Sequence, residues 1–300
     1  MRFETPLTIT GPLRTPVQLL ADQDQGGGRK SVHDAAMAAR MGLPGAPIEG
    51  PTHFSQFDPL AVALWGSEWW ERGCLSCHFR TMVIEGEQVQ ASLTTTGSAT
   101  ATVEAHKADG TPVIVGTASL GREQTALEDR MEAMGNPGEL FIVDPLHVGM
   151  RGDTTTSSIP ADESNEPLYP FSLAEKLEVI TEPHPWYTAA GAKSSPWGRP
   201  VVPMEMLSVL TNKVGQRWPV RQPSTGLFLD LEVRMLDGPV FVGQEYRLEG
   251  EVVGLSQSRR TESHWVRTTI RDGDRAVAAV LLHSGVFKQS YPGYPAERLA

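Results

Sequence analysis

The chain says nearly the same thing twice, half a length apart. Gly45-Ala46-Pro47-Ile48 opens one apolar, helix-like stretch and Gly198-Arg199-Pro200-Val201 opens another, at an offset of 153 residues from Gly45 to Gly198. The same offset carries Trp65 onto Trp218 and Gly73 onto Gly226. Beyond that point Val83-Ile84-Glu85-Gly86 corresponds to Val240-Phe241-Val242-Gly243, after an insertion of four residues. A period this long is not that of a solenoid, whose units recur every few tens of residues. It reads as two copies of one domain, with any functional site between two diverged halves. The expected boundaries are residues 1–151 for the first domain, a linker over 152–170 rich in Thr, Ser, Asp, Glu and Pro, and 171–300 for the second.

Each half has one grammar. From Pro51 to Trp65, the residues Phe54, Phe57, Leu60, Ala61, Leu64 and Trp65 recur at the three-and-four spacing of a helix with one buried side. After Gly73 the period drops to two, and strand-like runs follow at 88–96, 99–107 and 112–120, with the hairpin signal Asp109-Gly110 between the last two. In the second half Met206, Val209, Leu210 and Val214 give the helix, Leu229, Leu231, Val233 and Met235 a half-buried strand, and runs at 245–255, 262–271 and 275–284 the rest. One helix wrapped by a bent antiparallel sheet, used twice, is an α+β arrangement.

Charge and cysteine content narrow the function classes. A net charge of −10 with no dominant Lys/Arg cluster argues against nucleic-acid binding. No apolar run is long enough for a membrane span, the first residues lack a secretion-signal pattern, and two cysteines cannot build a disulfide framework, so a cytoplasmic location is expected. Cys74-Leu75-Ser76-Cys77-His78 matches the haem-attachment pattern, but three residues apart on a strand the two thiols point to opposite faces. No metal, haem or other cofactor is expected.

The run Asp34-Ala35-Ala36-Met37-Ala38-Ala39-Arg40-Met41-Gly42-Leu43 followed by Pro47-Ile48-Glu49-Gly50, and Pro185-Trp186-Tyr187 followed by Ser195-Pro196-Trp197-Gly198-Arg199-Pro200-Val201-Val202-Pro203, resemble MaoC-like hydratases/dehydratases. The resemblance covers nearly the whole chain and implies a double hot-dog fold. It also implies hydro-lyase chemistry on an acyl thioester, of coenzyme A or a carrier protein, or on a related small molecule. Such chemistry needs a base to activate water, an acid to protonate the α-carbon, and donors for the enolate-like oxygen.

The family writes its acid/base pair as Asp-x-Asn-Pro-x-His, and neither half preserves it. Counting back from Gly42 puts Val32 at the His position and Gly27 at the Asp position, with His33 and Asp34 just beyond as either a shifted dyad or a helix cap. Glu49 stands where the family usually has His before Gly50, and His53 follows four residues later as a possible face-sharing partner. In the second half Glu182-Pro183-His184-Pro185-Trp186-Tyr187 overlays the motif, so Glu182, His184 and Tyr187 are candidate proton-transfer groups; the alternative is a proline-stiffened loop whose aromatics pack. Gly198 would lend its amide to the thioester oxygen. Arg29 and Lys30, beside Gly26-Gly27-Gly28, are either a basic mouth for a coenzyme phosphate or a connecting loop. Arg260, Glu262 and His264 share one face of a late strand, either as an ion pair or as a cleft wall.

Two other functions fit the same fold: a thioesterase with Glu49 or Glu205 as its carboxylate, or a non-catalytic protein that binds a ligand or supports a partner. Exposed edges leave room for a homo-oligomer.

Overall fold

The computed structural model describes residues 6–21, 23, 31–165, 168–215 and 218–299. Ten strands form one antiparallel sheet: β1 (Thr8–Thr10), β2 (Gly73–Phe79), β3 (Val89–Thr95), β4 (Thr100–Lys107), β5 (Pro112–Leu120), β6 (Thr155–Ser157), β7 (Gly226–Met235), β8 (Tyr246–Gln257), β9 (Thr261–Asp272) and β10 (Arg275–Phe287). Their order across the sheet is β1-β3-β4-β5-β2-β7-β10-β9-β8-β6. The two halves of that order mirror each other strand for strand about the β2–β7 contact, where Leu75 pairs with Val233 and Cys77 with Leu231. The duplication in the sequence is therefore a duplication of architecture. This is the double hot-dog fold.

The helices are α1 (Ala35–Arg40), α2 (Asp58–Trp65), α3 (Glu68–Arg72), α4 (Ala126–Glu132), α5 (Leu173–Val179) and α6 (Leu207–Gly215). The helix expected from Pro51 begins as a 3-10 segment, Gly50–Gln56, and becomes α-helical only at Asp58. Its counterpart is the 3-10 turn Met204–Met206 running into α6, and these two 3-10 segments touch each other in the core. Each copy pins its pre-helix turn by an equivalent bond, Ile48 N to Val83 O at 2.7 Å and Val202 N to Val240 O at 2.8 Å.

Both strand-opening glycines sit where a side chain does not fit. A Cβ on Gly73 would lie 2.3 Å from the Trp69 carbonyl oxygen, and one on Gly226 would lie 2.6 Å from that of Gly285. Backbone cannot give way as a side-chain tip can, so Gly73→Ala is expected to destabilise the fold by about 1–3 kcal/mol, read as a lower urea midpoint.

The segment 152–170 is more than a linker. It contributes β6, which pairs with β8, and ends in the buried Tyr169. Cys74 and Cys77 are free, buried thiols within β2, and burial pushes both pKa values up. Among the described residues no helix is long and apolar enough to cross a membrane, and no group of three or more His, Cys, Asp or Glu could hold a metal ion.

Candidate active site

The sheet opens beside its centre. Pairing of β2 with β7 stops at His78 and Asp230, so among the described residues 226–229 of β7 have no strand partner on that side, while residues 80–83 lie beyond the end of β2. A cavity of about 800 Å3 occupies the gap, with Phe79 to Val83 on one side and Gly226 to Leu229 on the other. His33, Glu49, His53 and Tyr169 line one wall; Arg130, Ser256, Trp265 and His283 line another.

His33 lies just before α1. Its Nδ1 is 2.8 Å from the carbonyl oxygen of Pro47, which can only accept, so Nδ1 carries the proton and Nε2 keeps its lone pair. Burial pushes the imidazole pKa below its ordinary value. His33 is thus neutral near pH 7 and able to take a proton. Asp34 makes no dyad with it: its Oδ1 accepts from Met37 N at 2.9 Å and caps α1.

Glu49 is buried at the start of the 3-10 segment and accepts a 2.8 Å hydrogen bond from the Tyr169 hydroxyl. Burial pushes its carboxyl up to about 7, against the opposing pull of the Lys176 ammonium and of Tyr169. Near neutrality it can both give and take a proton. His53 is pushed down to about 4 by burial and by Lys176, and its Nδ1 has no hydrogen-bond partner among the described residues. In a 3-10 segment, with about three residues per turn, four residues overshoot a full circle by about a third of a turn, so Glu49 and His53 do not stack as on an α-helix. Both nevertheless reach the cavity wall.

Tyr169 holds the carboxylate form of Glu49. Tyr169→Phe is therefore expected to raise the Glu49 pKa by about one unit, and titration followed by carboxyl-specific infrared absorption would register the shift.

The second-half candidates are employed elsewhere. Glu182 accepts from Arg14 through both oxygens, at 2.6 and 2.9 Å. His184 accepts at Nδ1 from Trp186 N at 3.2 Å, and its ring packs against Trp70 and Trp186 with centroids 5.7 and 4.9 Å apart. Tyr187 is buried and donates to Asp58 Oδ2 at 2.9 Å, while Trp69 Nε1 donates to Asp58 Oδ1 at the same distance. Burial pushes Asp58 up to about 7. None of Glu182, His184 and Tyr187 lines the cavity; the His184 ring is packed between Trp70 and Trp186, and Trp186 in turn meets Trp197. Gly198 forms an exposed turn at φ +62°, and its amide bonds back to Ser195 Oγ and Ser195 O at 3.1 and 3.2 Å. Arg29 and Lys30 lie outside the described residues. Glu205 is buried against Lys176, with Nζ 3.4 Å from Oε1, and does not line the cavity.

Two residues in and beside the cavity carried no local signal. Tyr169, which lines it, stood in the presumed linker, and Asp230, hydrogen-bonded to the cavity-lining His283, alternates with leucines like a solvent-facing residue yet is fully buried. The face of Arg260, Glu262 and His264 is divided: Arg260 lines the cavity, whereas buried Glu262 accepts from the backbone amides of Phe141, Ile142 and Val143 and from the Tyr294 hydroxyl.

Solved structures share this architecture. A MaoC domain protein from Chloroflexus aurantiacus J-10-fl superposes with a TM-score of 0.61 at 13% identity, over 95% of each chain. RV0216 of Mycobacterium tuberculosis, a double hot-dog protein, gives 0.59 at 12% identity, over 95% of this chain and 97% of its own. A MaoC-like dehydratase gives 0.50 at 13% identity, over 93% and 97%. No protein-family model matches the sequence, and no curated protein sequence does. At these identities the likeness is one of fold, and it agrees with the resemblance to MaoC-like dehydratases carried by the sequence.

Proposed function

We propose that the chain is a hydro-lyase that adds water to, or removes it from, a small acyl thioester at the cavity wall formed by His33, Glu49 and His53. One observation carries the reading: an imidazole with its Nδ1 proton committed to Pro47 and a carboxyl poised near neutrality line the same cavity. In hydration, His33 Nε2 takes a proton from water, the hydroxide adds to the β-carbon, and protonated Glu49 delivers a proton to the α-carbon. Dehydration runs the same transfers backwards.

Apolar walls from Ile48, Val83 and Phe228 suit an acyl chain and keep bulk water from the proton-transfer groups. Crotonyl-CoA is the direct test. Loss of the conjugated enoyl absorbance in excess of thiol release is the expected result; absorbance lost only in step with thiol would favour hydrolysis alone, and no change across a set of enoyl thioesters would overturn the proposal.

A further inference from the structure

Another part of the cavity lining belongs to a group that hydration does not use. Asp230 on β7, His283 on β10, Trp265 on β9 and Ser256 on β8 come from adjacent strands, with Asp230 directly opposite His283 and His283 directly opposite Trp265. His283 Nδ1 is 2.5 Å from Asp230 Oδ2, and His283 Nε2 is 3.4 Å from Ser256 Oγ. The carboxylate fixes the proton on Nδ1, so the Nε2 lone pair is the one presented to the serine hydroxyl.

Burial and packing hold this order. Asp230 is fully buried behind His283, and its other oxygen receives His78 Nδ1 at 2.7 Å and Arg130 Nε at 3.2 Å. Burial pushes the Asp230 carboxyl up, but the hydrogen bonds from His283 and His78 and the charge of Arg130 outweigh it and hold the group ionised, at about 2. The Trp265 ring lies flat on the imidazole, with centroids 4.0 Å apart and planes 9° from parallel. A stacked indole restricts rotation of the ring and favours the imidazolium that forms when it takes a proton. Ser256 and His283 both line the cavity, as does Arg130, whose Nη groups have no partner among the described residues.

We propose that Ser256, His283 and Asp230 form a second, nucleophilic site in this cavity that cleaves acyl thioesters or esters through an acyl-serine intermediate. Ser256 Oγ attacks the acyl carbon as His283 Nε2 takes the hydroxyl proton. The carbon–sulfur or carbon–oxygen bond then breaks, and the leaving thiol or alcohol departs with that proton. Water, deprotonated by the same nitrogen, next attacks the acyl-serine ester, releasing a carboxylic acid and restoring the serine hydroxyl. No oxidant, metal or further reactant is required. Arg130 polarises the acyl oxygen, and Asp230 acts as a positioning residue through His283. The 3.4 Å nucleophile–base separation is of the loose kind found before substrate binds.

Treating the full chain with a fluorophosphonate ester and mapping the adduct by mass spectrometry tests the site. The expected result is a single adduct on Ser256, rather than on the neighbouring Ser258 or Ser263. With p-nitrophenyl butyrate, a burst of p-nitrophenol stoichiometric with enzyme is expected. Ser256→Ala and His283→Ala should lower ester cleavage by about 10³-fold. Asp230→Asn should do so too, through kcat with KM and melting temperature unchanged, a split that a purely structural role would not give. Ser256→Ala removes one oxygen from a half-buried position and is expected to melt as the parent does. A folded protein without an adduct on Ser256, or unchanged ester cleavage in Ser256→Ala, overturns the proposal. The adduct reads Ser256 directly, and loss of enoyl absorbance in Ser256→Ala, where thioester cleavage is removed, reads the His33 wall, so either site can fail without the other.

Discussion

Replacing His33 by alanine is expected to lower kcat/KM for enoyl-thioester hydration by roughly 10²–10⁴-fold, the range for removing a positioned general base. Glu49→Gln should cost a similar factor, because an amide cannot exchange the proton that the carboxyl carries near neutrality. Melting temperatures of both variants serve as the control for folding.

The two groups also set the pH profile. Hydration needs His33 neutral, so activity rises as pH climbs past a value below the ordinary 6.5. It needs Glu49 protonated, so activity falls as pH rises through about 7. A bell with its alkaline limb near 7 is therefore expected, and Tyr169→Phe should move that limb upward. A profile flat from pH 5 to 9 would sink the assignment of both residues.

The second large effect is on stability. Lys176 is buried in α5 with Nζ 3.4 Å from Glu205 Oε1 and 3.1 Å from Thr52 Oγ1, so it ties the second half's 3-10 turn to the first half's. Lys176→Met would leave the Glu205 carboxylate buried without a cation, and a loss of about 3–5 kcal/mol is expected. The sign with pH follows from Glu205. Burial already raises its pKa, so the folded state holds the proton more tightly than the unfolded chain does. Stability from that proton is complete below the ordinary glutamate range and is lost as pH rises through the folded value. Removing Lys176 raises the folded value further, so the deficit of the variant should be smallest near pH 4 and grow toward pH 8. Adding Glu205→Gln should recover part of it at pH 8. Equal deficits at pH 4 and 8 in urea titrations would show that the charge of Glu205 is not what Lys176 balances.

Most of the fold was legible because its determinants are local or periodic. The strand expected at 112–120 is β5, Pro112–Leu120, and the glycine offset from Gly73 to Gly226 marks the first residues of β2 and β7. Alternation reports which side of a strand is buried, and a duplicated pattern reports a duplicated domain. The short strands β1 and β6 were not legible, since three residues carry too little alternation to register.

The candidate site was legible only in part. His33, Glu49 and His53 were readable from their places near the Gly and Pro-Ile turn, and all three line the cavity. The overlay of Glu182, His184 and Tyr187 on the family motif was readable too, but sequence cannot show that Arg14, Trp70 and Asp58 occupy those side chains.

By itself, then, the sequence determined two copies of a helix and a bent antiparallel sheet, because hydrophobic period and turn glycines act within a few residues of one another. Where open space remains, and which polar side chains meet beside it, was decided by tertiary structure alone. Tyr169 reaches Glu49 across 120 positions and His283 reaches Asp230 across 53. Such pairings depend on strand order and on the volume of distant side chains: Arg14, Trp70 and Asp58 engage Glu182, His184 and Tyr187, while His33, Glu49 and His53 line the cavity.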